Sequence, residues 1–115
     1  MRSLILAGGY GTRLESLGKN RSKVLLPIGG RPVIEYVLDR IQELSEVRDL
    51  LIVTNDRFYK QFVEWSEQLP RSSLAISVLN DGTTNPENRL GAVGDVIFGI
   101  DQAQIDDDLL VMAGD

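Results

Sequence analysis

The sequence has 115 residues, which makes a single domain the default, and its 43% hydrophobic and 25% charged content is that of an ordinary globular chain. The net charge of −5 argues against a general nucleic-acid surface, which wants a basic face, yet leaves room for a small anionic ligand held by a few local cations. There is no cysteine and no histidine, so disulfides, thiol chemistry, imidazole bases and His/Cys zinc sites are excluded, and any metal must be held by oxygen, as magnesium, manganese and calcium are.

In chain order, residues 4–7 form a short apolar run of the kind a buried strand gives. Residues 8–22 read as a loop and 27–32 as a turn, after which Pro32 suits the first position of a helix. Ile34, Val37, Leu38, Ile41 and Leu44 then recur at helical spacing, with Glu35, Asp39, Arg40 and Glu43 between them. Residues 50–54 are a second strand. Asn55 can cap the next helix, whose apolar stripe is Phe58, Phe62, Trp65 and Leu69. This stripe reads as core rather than as a base-stacking platform. Residues 74–79 are a third strand and 80–88 a long polar loop. Val93, Val96, Ile97 and Ile100 mark a third helix, and 109–113 a fourth strand. No apolar run approaches the roughly 20 residues a bilayer span needs, and the start lacks the features of a signal peptide, so a cytoplasmic location is the expectation.

Strands alternating with helices predict an α/β fold with a parallel sheet. In such sheets ligands bind beyond the carboxyl ends of the strands. The unusual segments all fall at that edge: the glycine loop after the first strand, Thr54-Asn55 after the second, the polar loop after the third and Asp115 after the fourth. Residues 6–14 read LAGGYGTRL. Gly8, Gly9 and Gly11 let the backbone approach a ligand, successive amides in such a loop make a concave anion site, and Arg13 adds a planar charged fork suited to phosphate. The loop is neither of two common phosphate motifs. The P-loop spelling is absent, and the dinucleotide fingerprint fails because Leu14 stands where its third glycine belongs.

Residues 4–38, LILAGGYGTRLESLGKNRSKVLLPIGGRPVIEYVL, strongly resemble the amino-terminal signature of the sugar-1-phosphate nucleotidyltransferases, which make nucleoside-diphosphate sugars. Residues 89–95 (RLGAVGD) resemble the family's nucleotide-contacting glycine turn, and 111–115 (VMAGD) its strand ending in a metal-binding aspartate. The resemblance implies a Rossmann-like parallel sheet of about four strands flanked by helices, with residues 1–115 as the amino-terminal, nucleotide-binding half of the domain. It implies a reaction of NTP with sugar 1-phosphate giving NDP-sugar and pyrophosphate, with Mg²⁺. The nucleophile is then a phosphate oxygen already ionised at pH 7, so the absence of histidine is no obstacle. By the same resemblance, Leu6, Ala7, Gly8, Gly9, Gly11 and Thr12 hold the nucleotide and Gly91 lies under its base or ribose. Arg13 grips the β and γ phosphates, Lys23 sits near the α phosphate, and Asp115 binds Mg²⁺. The implied partners are a nucleoside triphosphate and a sugar 1-phosphate, with no nucleic acid and no membrane, and with a homo-oligomer left open.

The sequence departs from the pattern in places. Val24 follows Lys23 where the family has proline, and Pro86 stands where a base-reading glutamine is common, which leaves the base open. Family members run well beyond this length, so an incomplete chain without turnover is expected, its last strand left as an edge. Two alternatives stand beside the sugar reading: a non-catalytic nucleotide-binding relative, and a cytidylyltransferase acting on a phosphoalcohol such as phosphocholine.

Overall fold

The structure, a computed structural model, describes residues 1–8, 22–69, 74–84 and 90–113. Four strands make the parallel sheet that the alternation predicts: β1 (Arg2–Leu6), β4 (Asp49–Thr54), β5 (Ala75–Asn80) and β6 (Leu109–Ala113), in the order β5-β4-β1-β6. β1 is interior. Leu4 pairs with Leu51 of β4 on one side and with Val111 of β6 on the other. Between β1 and β4 lie a short 3₁₀ turn (Lys23–Leu25), a small antiparallel hairpin of β2 (Pro27–Ile28) and β3 (Arg31–Pro32), and helix α1 (Val33–Gln42). The two-residue turn of that hairpin needs positive φ at both positions, which Gly29 (62°) and Gly30 (85°) supply. Pro32 is the residue before α1 rather than its first, a shift of one position, and Leu44 lies past the helix and is exposed.

Side chains alternate across β1, as a strand's period of two requires. Ile5 joins the larger core, where Ile34, Leu38 and Ile41 of α1 meet Phe62 and Trp65 of α2 (Tyr59–Gln68) and the nearby Phe58. Leu4 faces the other side with Leu51 and Val53, and there α3 (Gly91–Ala103) covers the sheet through Phe98 and Ala103. The Phe58, Phe62 and Trp65 stripe is therefore core, as expected.

The third helix departs from its expected face. Val93 and Ile97 point outward, 75% and 55% exposed, and the buried positions are Asp95 and Gly99. The reason is steric. A Cβ on Gly99 would come within 2.5 Å of Leu4 Cδ1 and 3.2 Å of Val53 Cγ2, so only glycine lets α3 sit this close to the sheet. That contact fixes the helix's rotation and brings Asp95, one turn earlier, over the carboxyl edge. At the opposite edge Arg2 ties the layers together. Its guanidinium meets Asp49 at 2.8 and 2.9 Å and donates to the Ala103 carbonyl at the end of α3.

Candidate functional site

The exit of β1 is held by side chains from the end of β4. Thr54 and Asn55 are fully buried. Thr54 Oγ1 donates to the Ala7 carbonyl at 2.9 Å, and Asn55 Nδ2 donates to the Gly8 carbonyl at 3.0 Å. Ala7 N–H is itself spent on the Val53 carbonyl. Asn55 does cap, as its sequence position predicts, but it caps the turn that precedes α2. Its Oδ1 accepts from Phe58 N–H, and the helix begins at Tyr59. The same side chain thus serves two ends, fixing both the entry to α2 and the path of the chain into the glycine loop.

The segment after β5 is stitched to this edge as well. Asp81 N–H donates to the Thr54 carbonyl and Asp56 N–H to the Thr83 carbonyl. Asp81 Oδ1 accepts from both Thr83 N–H (2.9 Å) and Thr83 Oγ1–H (2.7 Å). Against Asp81 lies Asp95 of α3, only 5% exposed. Asp95 Oδ2 rests so close to Gly8 that a Cβ there would overlap it, and Asp81 Oδ2 is 3.6 Å from the same point. Burial, and then the hydrogen bond and charge of Asp81, push the Asp95 carboxyl up to about 8. Two carboxyls in hydrogen-bond contact do not both ionise readily. With Asp81 committed as an acceptor to Thr83, the shared proton belongs to Asp95. Asp95 Oδ1 remains, buried and with no hydrogen-bond partner among the described residues.

Of the residues that sequence analysis singles out, Leu6, Ala7 and Gly8 lie at the β1 exit. Gly91 opens α3 at φ +78°, a conformation that calls for glycine, and is exposed. Lys23 begins the 3₁₀ turn, which is anchored by buried Val24 and Leu25 and by Ser22 N–H donating to Gln61 of α2. Gly9, Gly11, Thr12, Arg13 and Asp115 lie outside the described residues, as does the loop over 85–89. Among the described residues no group of three or more acidic side chains could enclose a metal ion. A cleft of about 220 Å³ lies between the hairpin and α2, lined by Leu25, Pro32, Gln61 and Trp65 among others, and does not include the edge residues. Thr54 lies at the carboxyl edge, as the sequence predicts; the contact between Asp81 and Asp95 is not foreseen. The one available signal is Asp95 itself, an acid set four residues before Gly99 within the otherwise apolar first ten residues of the helix.

The family model described as nucleotidyl transferase matches residues 2–115. The chain belongs to the nucleotidyl transferase family. It is similar to a glucose-1-phosphate thymidylyltransferase of Neisseria gonorrhoeae, 36% identical over 86 residues that make up 71% of this chain and 30% of that protein. It is also similar to a bifunctional protein GlmU of Methanococcus aeolicus, 31% identical over 114 residues, 94% of this chain and 28% of the relative. A UDP-glucose pyrophosphorylase of Acinetobacter baumannii superposes with a TM-score of 0.76 at 18% identity, over 98% of this chain and 45% of that one, a likeness of fold. This nucleotidyl transferase chain thus spans less than a third of the length of those two curated relatives. No helix among its described residues is long and apolar enough to cross a membrane.

Proposed function

We propose that the protein transfers a nucleotidyl group from an NTP to a sugar 1-phosphate, releasing pyrophosphate, and that this chain supplies the nucleotide-binding part. The observation that carries the reading is the family match across residues 2–115 joined to the fold: Gly8, which opens the glycine loop, follows β1 and meets Asp95 of α3, the helix that Gly91 opens. Relatives named for glucose 1-phosphate favour a sugar phosphate over a phosphoalcohol as acceptor. Gly8, Gly9 and Gly11 hold the nucleotide through backbone amides, with Leu6, Ala7 and Thr12 beside them and Gly91 under the base or ribose. Arg13 grips the β and γ phosphates and stabilises departing pyrophosphate. Lys23 neutralises charge at the α phosphate, where the sugar phosphate oxygen attacks. Mg²⁺ supplies further charge neutralisation between the phosphates when bound. Asp115, two residues beyond β6 in sequence, would hold it as a hard oxygen donor, the donor type this ion takes. The location that fits such chemistry is the cytoplasm.

The test is pyrophosphate release with Mg²⁺, each of the five common NTPs and a panel of sugar 1-phosphates. The protein at the length of its relatives turns over with one or two nucleotides, and Arg13→Ala and Lys23→Ala each abolish turnover. Residues 1–115 alone bind nucleotide and release no pyrophosphate above background. Turnover with phosphocholine in place of every sugar phosphate would contradict the acceptor, and turnover unaffected by either substitution would contradict the residue roles.

A further inference from the structure

Side chains take over where the ladder between β1 and β4 ends. The parallel register runs as far as Leu6 beside Val53. One residue on, Ala7 N–H still reaches the Val53 carbonyl. The two carbonyls that follow are taken by side chains, Ala7 by Thr54 Oγ1 at 2.9 Å and Gly8 by Asn55 Nδ2 at 3.0 Å. In an extended strand successive carbonyls face opposite sides. Here both are drawn to the end of β4, so the chain leaves its extended path at Gly8. Both side chains are fully buried, and Asn55 is held at its other end by Phe58 N–H. Asp95 Oδ2 lies against a further side of Gly8, where a Cβ would overlap it. Holding a carbonyl also fixes the amide across the same plane. The Ala7–Gly8 peptide is planar and trans, so Gly8 N–H points opposite to the Ala7 carbonyl and away from Thr54. That N–H has no acceptor among the described residues, and Gly8 is only half-buried.

We propose that Thr54 and Asn55 are positioning residues for nucleotide binding. They act through the main chain: by holding the Ala7 and Gly8 carbonyls they aim Gly8 N–H at an oxygen of the nucleotide. This rests on the nucleotide-binding reading of the same edge. The gain is preorganisation. A freed carbonyl lets its peptide plane rotate, and the ligand then has to restore the orientation as it binds. A carbonyl turned outward would also set its negative end against the ligand oxygen. Ser3 supplies an internal comparison. Its Oγ donates to the Asp49 carbonyl at 2.6 Å, and it too is fully buried and ties β1 to β4, but at the amino edge. The two hydroxyls make the same kind of bond at opposite ends of the same strand pair, so only a role at the carboxyl edge distinguishes them.

The experiment is calorimetric titration of the chain with Mg²⁺ complexes of ATP, GTP, CTP, UTP and dTTP and of inorganic tripolyphosphate, at a temperature where urea unfolding shows each variant fully folded. Thr54→Val keeps the volume and loses the donor, and Thr54→Ser restores the hydroxyl. Asn55→Ser keeps a capping oxygen for Phe58 N–H and ends short of the Gly8 carbonyl. Ser3→Ala removes a bond of the same kind at the far edge. The preferred nucleotide is expected to bind about tenfold more weakly to Thr54→Val and to Asn55→Ser, the value of one orienting hydrogen bond. Thr54→Ser stays within about threefold of the parent and Ser3→Ala within about twofold, even though Ser3→Ala lowers the unfolding midpoint as Thr54→Val does. An equal loss with tripolyphosphate upholds the proposal and assigns the oxygen to a phosphate. A loss with nucleotide alone upholds it and assigns the oxygen to the nucleoside. Nucleotide affinity unchanged in Thr54→Val and Asn55→Ser, or lowered as far by Ser3→Ala, makes these bonds structural only and overturns the proposal while leaving nucleotide binding intact. A parent chain that binds no nucleotide overturns the functional reading, and this inference with it.

Discussion

Asp95→Asn should stabilise the chain, and increasingly so as pH rises from 5 to 8. In the folded state the Asp95 carboxyl is held up to about 8 by burial and by Asp81, against 3.8 for a free aspartate. Between those values the folded chain binds more protons than the unfolded one, so stability falls as pH rises. The slope for one such group is about 1.4 kcal/mol per pH unit, so from pH 5 to pH 7 the parent loses about 3 kcal/mol through this residue alone. That is a large part of the 5–15 kcal/mol typical of a small domain. Asparagine copies the neutral acid, with an amide to donate to Asp81 and a carbonyl in place of Oδ1, and it has no proton to lose. The Asp39 and Asp107 carboxyls are held below their ordinary value, Asp39 by Arg31 and Asp107 by the Asp108 backbone N–H and the chain's amino terminus. Their contribution is lost only as pH falls through the acid range and cancels between parent and variant. Urea unfolding at pH 5, 6, 7 and 8 measures the difference, followed by the fluorescence of Trp65, the single, buried tryptophan. The advantage of Asp95→Asn over the parent should grow by about 3 kcal/mol from pH 5 to 7. Parallel pH profiles would refute the account of a shared proton on Asp95.

Three further outcomes follow from the packing. Gly99→Ala should destabilise by about 1–3 kcal/mol in chemical denaturation, because the new methyl meets Leu4 and Val53, and this outweighs the ~1 kcal/mol that alanine gains in helix propensity; a stabilised variant would show that α3 is not pressed on the sheet at this point. Gly8→Ala should also destabilise, and combining it with Asp95→Ala should recover at least about 0.5 kcal/mol of the summed single effects, since the added Cβ collides with Asp95 itself; strict additivity would place the two residues apart. Arg2→Met should cost about 1.5–3 kcal/mol by removing charge-assisted bonds to Asp49 and the bond to the Ala103 carbonyl, with nucleotide affinity unchanged because this contact is at the amino edge.

The centre of the sheet was readable because its two interior strands, β1 and β4, are buried on both faces. Leu4 and Ile5, or Leu51 and Ile52, are apolar in succession whichever side they face, and the helices between them carry period-3.6 stripes. The face of α3 was not readable. Counting apolar residues selects Val93 and Ile97, whereas the helix is oriented by what Gly99 lacks, a side chain, and no hydrophobicity pattern records that. Glycine spacing and Arg13 are the ground for reading the loop as phosphate-directed, and Gly9, Gly11 and Arg13 lie outside the described residues. Thr54-Asn55 and the polar loop that begins at Asn80 were readable as sharing the carboxyl edge, whereas the contact of Asp81 with Asp95 was not, because it forms only when α3 covers the sheet. Asp81 in particular reads as an ordinary turn residue, and its Thr83 bonds are ordinary turn bonds; only the neighbour across the edge gives it another use.

Whether this edge binds a nucleotide is read out by a thermal-shift panel. ATP, CTP, GTP, UTP and dTTP are each added with and without Mg²⁺, to the parent chain and to Arg13→Ala. A ligand that binds the folded state raises the melting temperature by mass action, by an amount that grows with its concentration over Kd. The account predicts a Mg²⁺-dependent rise with one or two of the five nucleotides, lost in Arg13→Ala. No rise with any nucleotide on a chain that melts cooperatively, or a rise that Arg13→Ala leaves untouched, would contradict it.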